Sequence, residues 1–355
     1  MSLPHPVLRA YGCPHDIADT LPTGTHPSRV LRHDGSSLLC ITTEGPRALR
    51  ASPGLDPAPA VGDWVAVRPG PGASDPWDGA AVAAVLPRSS LLRRQSADGS
   101  GPQVLAANVD TVLVVCGADR PLRPGRVQRV AAQSWDAGAE PVLVLTKVNG
   151  PAAADLDRAR IELEHPGMRV LITSALEGVG LDELHEVARA RTSVLVGESG
   201  AGKSTLTNAL LGRQEAATGQ VRASDAKGRH TTSARQLHLL PGPDGGVIID
   251  TPGLRSLGLF ADGHAVDDAF AEILELAGSC RFTDCGHVVE PGCAVLAARD
   301  EGTLSEGRYA SWLRLQREAA ALALRSSPHE LSRHNRKFSR MVRRAGPRSP
   351  RGPIR

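Results

Sequence analysis

Val194-Leu195-Val196-Gly197-Glu198-Ser199-Gly200-Ala201-Gly202-Lys203-Ser204-Thr205-Leu206 admits few folds. An apolar strand runs into a glycine-rich turn of the form G-x-x-x-x-G-K-[ST], and then into a helix carrying Leu206, Ala209 and Leu210. In that context the glycines let consecutive backbone N–H groups curl around a phosphate, and the helix N-terminus adds its partial positive charge. The spacing predicts phosphate contacts over Gly197–Thr205, with Lys203 on the outer phosphates and the Ser204 hydroxyl on Mg²⁺. An ordinary glycine-rich turn explains neither the Lys-Ser pair nor the flanking strand and helix.

A strand-loop-helix of this kind needs a parallel sheet, and the sequence supplies one on both sides of it. Upstream, apolar strands at Val112–Val115, Val142–Leu145 and Val170–Ile172 alternate with helix patterns opening at Pro124, around Leu156–Leu163 and at Leu181–Ala188. Cys116 ends the first strand and reads as a core residue. Downstream, residues 213–236 form a long polar stretch containing Gly228-Arg229-His230-Thr231-Thr232. Leu237–Leu240 and Val247–Ile249 then read as a hairpin, ending at Asp250-Thr251-Pro252-Gly253. Ligands in such sheets bind at the carboxyl ends of the strands. At those ends lie Thr146-Lys147-Val148-Asn149, Ser174-Ala175-Leu176 and the Asp250–Gly253 turn.

These elements assemble into one nucleotide site. Asp250 supplies a carboxylate beside Mg²⁺, and Gly253 an N–H for the terminal phosphate. Thr231 or Thr232 closes the metal shell, with Thr232 joining Ser204 and Asp250 as magnesium ligand. Base recognition in GTPases uses an [N/T]-K-x-D element and an S-A-[KL] element, matched by Thr146, Lys147 and Asn149 and by Ser174 and Ala175. They normally follow the phosphate loop and here precede it, so the domain is a circularly permuted GTPase. Leu254 stands where a Ras-like protein places a water-orienting Gln. His230 is the local substitute, which groups His230, Lys203, Thr231 and Thr232 as the catalytic set; a solvated loop histidine is the plain alternative. Asn149 replaces the expected Asp and turns an NH₂ toward a guanine donor, a loss of about 1.5–3 kcal/mol, or roughly 10- to 150-fold in affinity.

The flanks carry other chemistry. Residues 28–98 show short apolar segments between turn clusters, the pattern of a small β-barrel, with the oligonucleotide-binding (OB) barrel as leading candidate. From Val266 the pattern becomes helical, with Asp267 and Asp268 as caps and Gly278 as stop. Cys280, Cys285, His287 and Cys293 then have the spacing of a closed tetrahedral zinc site, a structural metal. Helices follow over about Ser305–Leu324 and Glu330–Arg344. Residues 325–355 hold ten Lys/Arg against Glu330 alone, while the whole chain is only +3; such an arm reads as a nucleic-acid contact or as a solvated tail. Residues 1–27 lack periodicity and are expected to be disordered. No signal-peptide layout or membrane-length apolar run is present, so a cytoplasmic protein is expected.

The succession TKxN, TSAL, GESGAGKST, GRHTT, DTPG and C-x₄-C-x-H-x₅-C, behind a barrel, resembles the bacterial small-ribosomal-subunit-dependent GTPases (RsgA, also called YjeQ). Gln103–Asp110 and Val61-Gly62-Asp63-Trp64-Val65 are similar to that family too, and the likeness spans roughly residues 28–340. It implies an OB-type barrel over 28–98, a permuted α/β P-loop GTPase domain over 99–265, a zinc-binding helical domain over 266–345 and a basic tail over 346–355. The implied ligands are GTP/GDP, Mg²⁺ and one Zn²⁺. The implied partner is the small ribosomal subunit and its rRNA, bound by a monomer that assists late subunit maturation and hydrolyses GTP to leave. Two rivals remain: an rRNA-binding assembly factor gated by nucleotide with little turnover or relaxed base choice, and a metabolic P-loop kinase. The kinase has no use for a barrel, a zinc cluster and an arginine-rich end.

Overall fold

The computed structural model describes residues 4–71, 75–95, 102–148, 158, 161–162, 168–213, 235–242, 245–250 and 264–326. Five strands close the barrel: β1 (His26–Asp34), β2 (Ser37–Thr42), β3 (Gly45–Ala51), β4 (Trp64–Arg68) and β5 (Ala81–Val85). β1, β2 and β3 form an antiparallel meander, β3 runs parallel to β5, β5 pairs with β4, and β4 returns to β1. The order β1-β2-β3-β5-β4, returning to β1, is that of a five-stranded OB-like barrel. Val30, Leu38, Cys40, Leu49, Val65, Val67 and Val82 fill it, with Trp77 alongside. Among the barrel strands, β3 is the one that periodicity does not mark. Only Leu49 of its seven residues is buried, so it carries no apolar alternation to read.

The second sheet follows the alternation of the sequence. β6 (Leu91–Gln95) and β7 (Pro102–Ala107) form a separate hairpin. Then come β8 (Thr111–Gly117), α2 (Pro124–Asp136), β9 (Glu140–Thr146), β10 (Arg169–Thr173), α3 (Leu181–Ala188), β11 (Thr192–Gly197) and α4 (Lys203–Leu211). β12 (Gln236–Leu239) and β13 (Val247–Asp250) complete it. The order is β10-β9-β8-β11-β13-β12, with the first five strands parallel and β12 antiparallel to β13. Both faces are covered, which is why β8, β9 and β11 read as unbroken apolar runs. Leu143, Val112, Val194 and Ile249 belong to the core cluster that holds Val127 and Val130 of α2 and reaches into the barrel side, while Leu113, Leu171 and Leu195 share a second cluster with Leu184 of α3 and Leu206 and Leu210 of α4.

Barrel and sheet are joined through backbone and through a buried cation. Arg32 of β1 lies in register with Gln236 of β12, so the two sheets share a ladder. The Ala107 N–H donates to the Val61 carbonyl at 3.0 Å, bringing the two family-like stretches together. Gly62, at φ +92°, lies so close that a Cβ would sit 2.2 Å from the Ala107 oxygen. Arg29 is 1% exposed and donates to the Gly62, Tyr11 and Asn108 carbonyls and to Thr192 Oγ1, with its guanidinium 5.3 Å from the Trp64 ring. Burial lowers its pKa to about 10, although Asp110 nearby opposes the fall.

The N-terminal expectation needs correction. α1 (Pro6–Ala10) and a 3₁₀ turn at Ile17–Thr20 place Leu8, Cys13 and Ile17 in the core shared by barrel and sheet, burial enough to order the described part of residues 1–27. At the other end α5 (His264–Ala269), α6 (Ala271–Ala277), α7 (Ala294–Asp300) and α8 (Glu306–Ser326) form a helical cluster. The single helix expected from Val266 is broken at Phe270, a fully buried residue at φ −135° beneath the Arg308 guanidinium, 4.1 Å from the ring. This cluster packs on α2 through Ala132 and partly buried Trp135. The helix expected at Leu156–Leu163 is described only at 158, 161 and 162, and that at Glu330–Arg344 lies outside the described residues. No described helix is long and apolar enough to cross a membrane.

Candidate nucleotide site and zinc centre

β8, β9, β10, β11 and β13 point their carboxyl ends the same way, and of the expected site residues Thr146, Lys147, Ser174, Gly197 and Asp250 lie at those ends. Thr173 of β10 lies opposite Thr146 of β9, Thr146 opposite Gly117 of β8, and Val115 opposite Gly197 of β11. β13 runs beside β11 and ends at Asp250, half-buried. Asn149, His230, Thr231, Thr232 and Gly253 lie outside the described residues.

The carbonyls of the glycine-rich loop are taken up by side chains around it. Gly200 and Gly202 take φ of +76° and +96°, conformations that a side chain would strain. Lys203 Nζ donates to the Gly197 and Glu198 carbonyls, both at 2.8 Å. Ala201, 1% exposed, presents its carbonyl to the Thr146 hydroxyl at 2.6 Å. Arg120 Nη1 reaches the Ser199 carbonyl at 3.4 Å. The Ala201 N–H turns to the Glu198 carbonyl at 3.2 Å and closes a tight turn within the loop. Ser204 and Thr205 follow in the first turn of α4, half-buried.

Lys147 has the left-handed φ of +61°, and its Nζ stands 2.8 Å from Asp119. Hydrogen bonds from Arg120 and then Lys147 hold the Asp119 carboxyl down at about 2. Ser174 is buried, and its N–H and carbonyl exchange bonds with Val179 at 3.0 and 3.1 Å, so Ala175 and Leu176 sit in a tight loop. Leu176, at the apex, is 92% exposed. Glu198 is paired with Arg126 of α2 and with Arg120 at 3.6 Å. Beside them is a cavity lined by Val114, Leu122, Val127, Val196 and Cys116. Cys116, expected in the core, is only half-buried there, and burial pushes its thiol up to about 11. Sequence reasoning passed over Asp119, Arg120 and Arg126. Their one signal is position: they follow a central strand at its carboxyl end.

The zinc expectation meets a close geometric test. Ligands about 2.3 Å from a common centre at tetrahedral angles stand about 3.8 Å apart, with slightly less for sulfur to nitrogen. Cys280 and Cys293 Sγ are 3.8 Å apart, and His287 Nδ1 lies 3.5 and 3.4 Å from them. With Cys285, all four ligand atoms fall within 4.8 Å of one another. The surroundings suit thiolates: the Ala294 N–H donates to Cys280 Sγ and the Leu296 N–H to Cys293 Sγ. Tyr309 donates to the His287 carbonyl at 2.6 Å, and Trp312 packs 5.5 Å from the imidazole. Among the described residues this is the cluster that fits a transition metal.

Comparison with known proteins agrees with this geometry. The family model described as RsgA GTPase matches residues 85–260. A protein of Streptomyces coelicolor named small ribosomal subunit biogenesis GTPase RsgA is 42% identical over 367 residues, covering 99% of this chain and 98% of its own. One of the same name from Streptomyces avermitilis is 47% identical over 305 residues, covering 83% and 80%. Among solved structures, YjeQ from Thermotoga maritima aligns with a TM-score of 0.60 at 24% identity, covering 83% of this chain and 99% of that one. YloQ, described as a circularly permuted GTPase, gives 0.59 at 20%, covering 84% and 96%. With relatives 42% and 47% identical matched over 99% and 83% of its length, the chain belongs to the RsgA GTPase family.

Proposed function

We propose that this protein is a Mg²⁺-dependent GTPase that binds the small ribosomal subunit through its rRNA, assists late maturation, and hydrolyses GTP to GDP and phosphate with release. The 2.6 Å bond from Thr146 to the Ala201 carbonyl carries the reading, because it unites the two halves of a nucleotide site in spite of their reversed order. Thr146, Lys147, Asn149, Ser174 and Ala175 read the base, and Gly197–Thr205 bind the phosphates. Ser204, Asp250 and Thr232 hold Mg²⁺, which neutralises charge on the outer phosphates when bound. Lys203 leaves its carbonyl partners for those phosphates, and His230 orients water. Cys280, Cys285, His287 and Cys293 hold a structural Zn²⁺ that fixes the helical end.

The protein acts as a cytoplasmic monomer, without membrane attachment, and the barrel and the basic end meet RNA phosphates. The test is phosphate release with and without small subunits. Stimulated turnover that His230→Ala abolishes, with GTP affinity unchanged, is the expected result; normal stimulation in that variant removes His230 from the mechanism. Leu254 and Asn149 favour one second reading, a nucleotide-gated rRNA-binding factor with little hydrolysis or relaxed base choice. Absence of stimulated release, with subunit binding still dependent on nucleotide, would select it.

A further inference from the structure

The loop that leaves β8 belongs to none of the motifs above, yet it touches two of them. Asp119 faces Lys147 Nζ at 2.8 Å and Arg120 Nε at 3.1 Å. Arg120 in turn reaches the Ser199 carbonyl at 3.4 Å and Glu198 at 3.6 Å. A Cβ placed on Gly117, at the end of β8, would sit 2.4 Å from Asp119 Oδ1, so the carboxylate folds back against the strand toward Lys147. A Cβ on Gly200 would lie 3.5 Å from Arg120 Nη2, which sets the guanidinium against the outside of the phosphate loop.

We propose that Asp119 is a positioning residue for the base-reading lysine: it fixes Lys147 at the mouth of the site and ties it, through Arg120, to the phosphate loop. This rests on the nucleotide-site reading given above. A lysine stem is costly to order, and a carboxylate partner that sets its direction beforehand removes part of that cost from binding. Both side chains are about two-fifths exposed, so solvent screens the pair and the effect is small. It is also selective. Lys147 serves the base, so loss of Asp119 weakens a nucleoside diphosphate and leaves a phosphate-only ligand unaffected. Arg120 braces the loop itself, and its loss weakens both.

The experiment uses the full chain with a fluorescent N-methylanthraniloyl GDP, displaced by GDP or by inorganic pyrophosphate. Asp119→Asn is expected to weaken GDP roughly three- to fivefold and to leave pyrophosphate within about twofold, whereas Asp119→Glu restores GDP. Arg120→Ala weakens both ligands. Equal loss of GDP and pyrophosphate in Asp119→Asn would mean general damage to the loop and would overturn the proposal, as would unchanged GDP affinity. Lys203→Ala separates the layers: if it retains full GDP affinity, the nucleotide site itself has been misread.

Discussion

Replacing Arg29 by Met tests how the barrel is fastened to the sheet. Met fills much of the volume but supplies no donor, so packing is nearly kept and polar contacts are lost. Four acceptors surround the guanidinium, of which the Gly62 carbonyl keeps a second donor, Asn108 Nδ2 at 3.1 Å. The Tyr11 and Asn108 carbonyls and Thr192 Oγ1 lose the arginine as donor. At about 1 kcal/mol for each buried group left short, Arg29→Met should cost about 3 kcal/mol, and Arg29→Ala more, through the added cavity. Opposing this is the desolvation of a buried cation, whose removal is often neutral when apolar groups replace it. Denaturant unfolding by circular dichroism, with amide exchange in β1 and β11, measures the balance. Loss of exchange protection in both strands together is expected, since Arg29 spans them. A change below about 1 kcal/mol in Arg29→Met would refute the reasoning, and would mean that desolvation cancels the bonds.

Chelation of zinc, or Cys293→Ser, should unfold the helical cluster, seen as lost ellipticity, while GDP binding persists; elemental analysis should give one zinc per chain. Acid should release that metal, because the thiolates and imidazole must be deprotonated to bind it. Asn149→Asp should sharpen preference for GTP over xanthosine triphosphate by roughly 10- to 150-fold, measured by competitive binding. Thr146→Val removes the hydroxyl bonded to Ala201 and should weaken GDP about fivefold, or about 1 kcal/mol, with the fold intact by circular dichroism. The Asp119 contribution exists above the ordinary carboxylate pKa and is lost only as pH falls toward about 2, so GDP affinity between pH 6 and 8 should owe nothing to its titration.

Much of the architecture was legible where one residue type has one physical use. The phosphate loop needs glycines at positive φ, and Gly200 and Gly202 have it. The central strands are buried on both faces, so Val112–Val115 and Val194–Val196 announce themselves as apolar runs. Cys280, Cys285, His287 and Cys293, whose ligand atoms come together, declare themselves by spacing. What stayed hidden depends on partners remote in sequence. β3 buries Leu49 alone, and no window of sequence marks it as a strand. Phe270 fits a helix pattern, yet Arg308, far along the chain, covers it where the helix breaks. Leu8 and Ile17 lack periodicity because they fill gaps in a core built by other elements. Asp119 and Arg120 are unremarkable until the sheet sets β8 between β9 and β11.

The shared ladder between β1 and β12 changes how the halves of the molecule can respond to one another. Domains on a slack tether can tilt independently, and a load on one dissipates in the tether. Here the polar stretch with Thr231 and Thr232 is followed within a few residues by a strand that meets the barrel at one pair, Arg32 and Gln236, on one side and runs along the strand of Asp250 on the other. A surface that grasps the barrel through β1 therefore bears on β12 and, through it, on the strand that ends at Asp250.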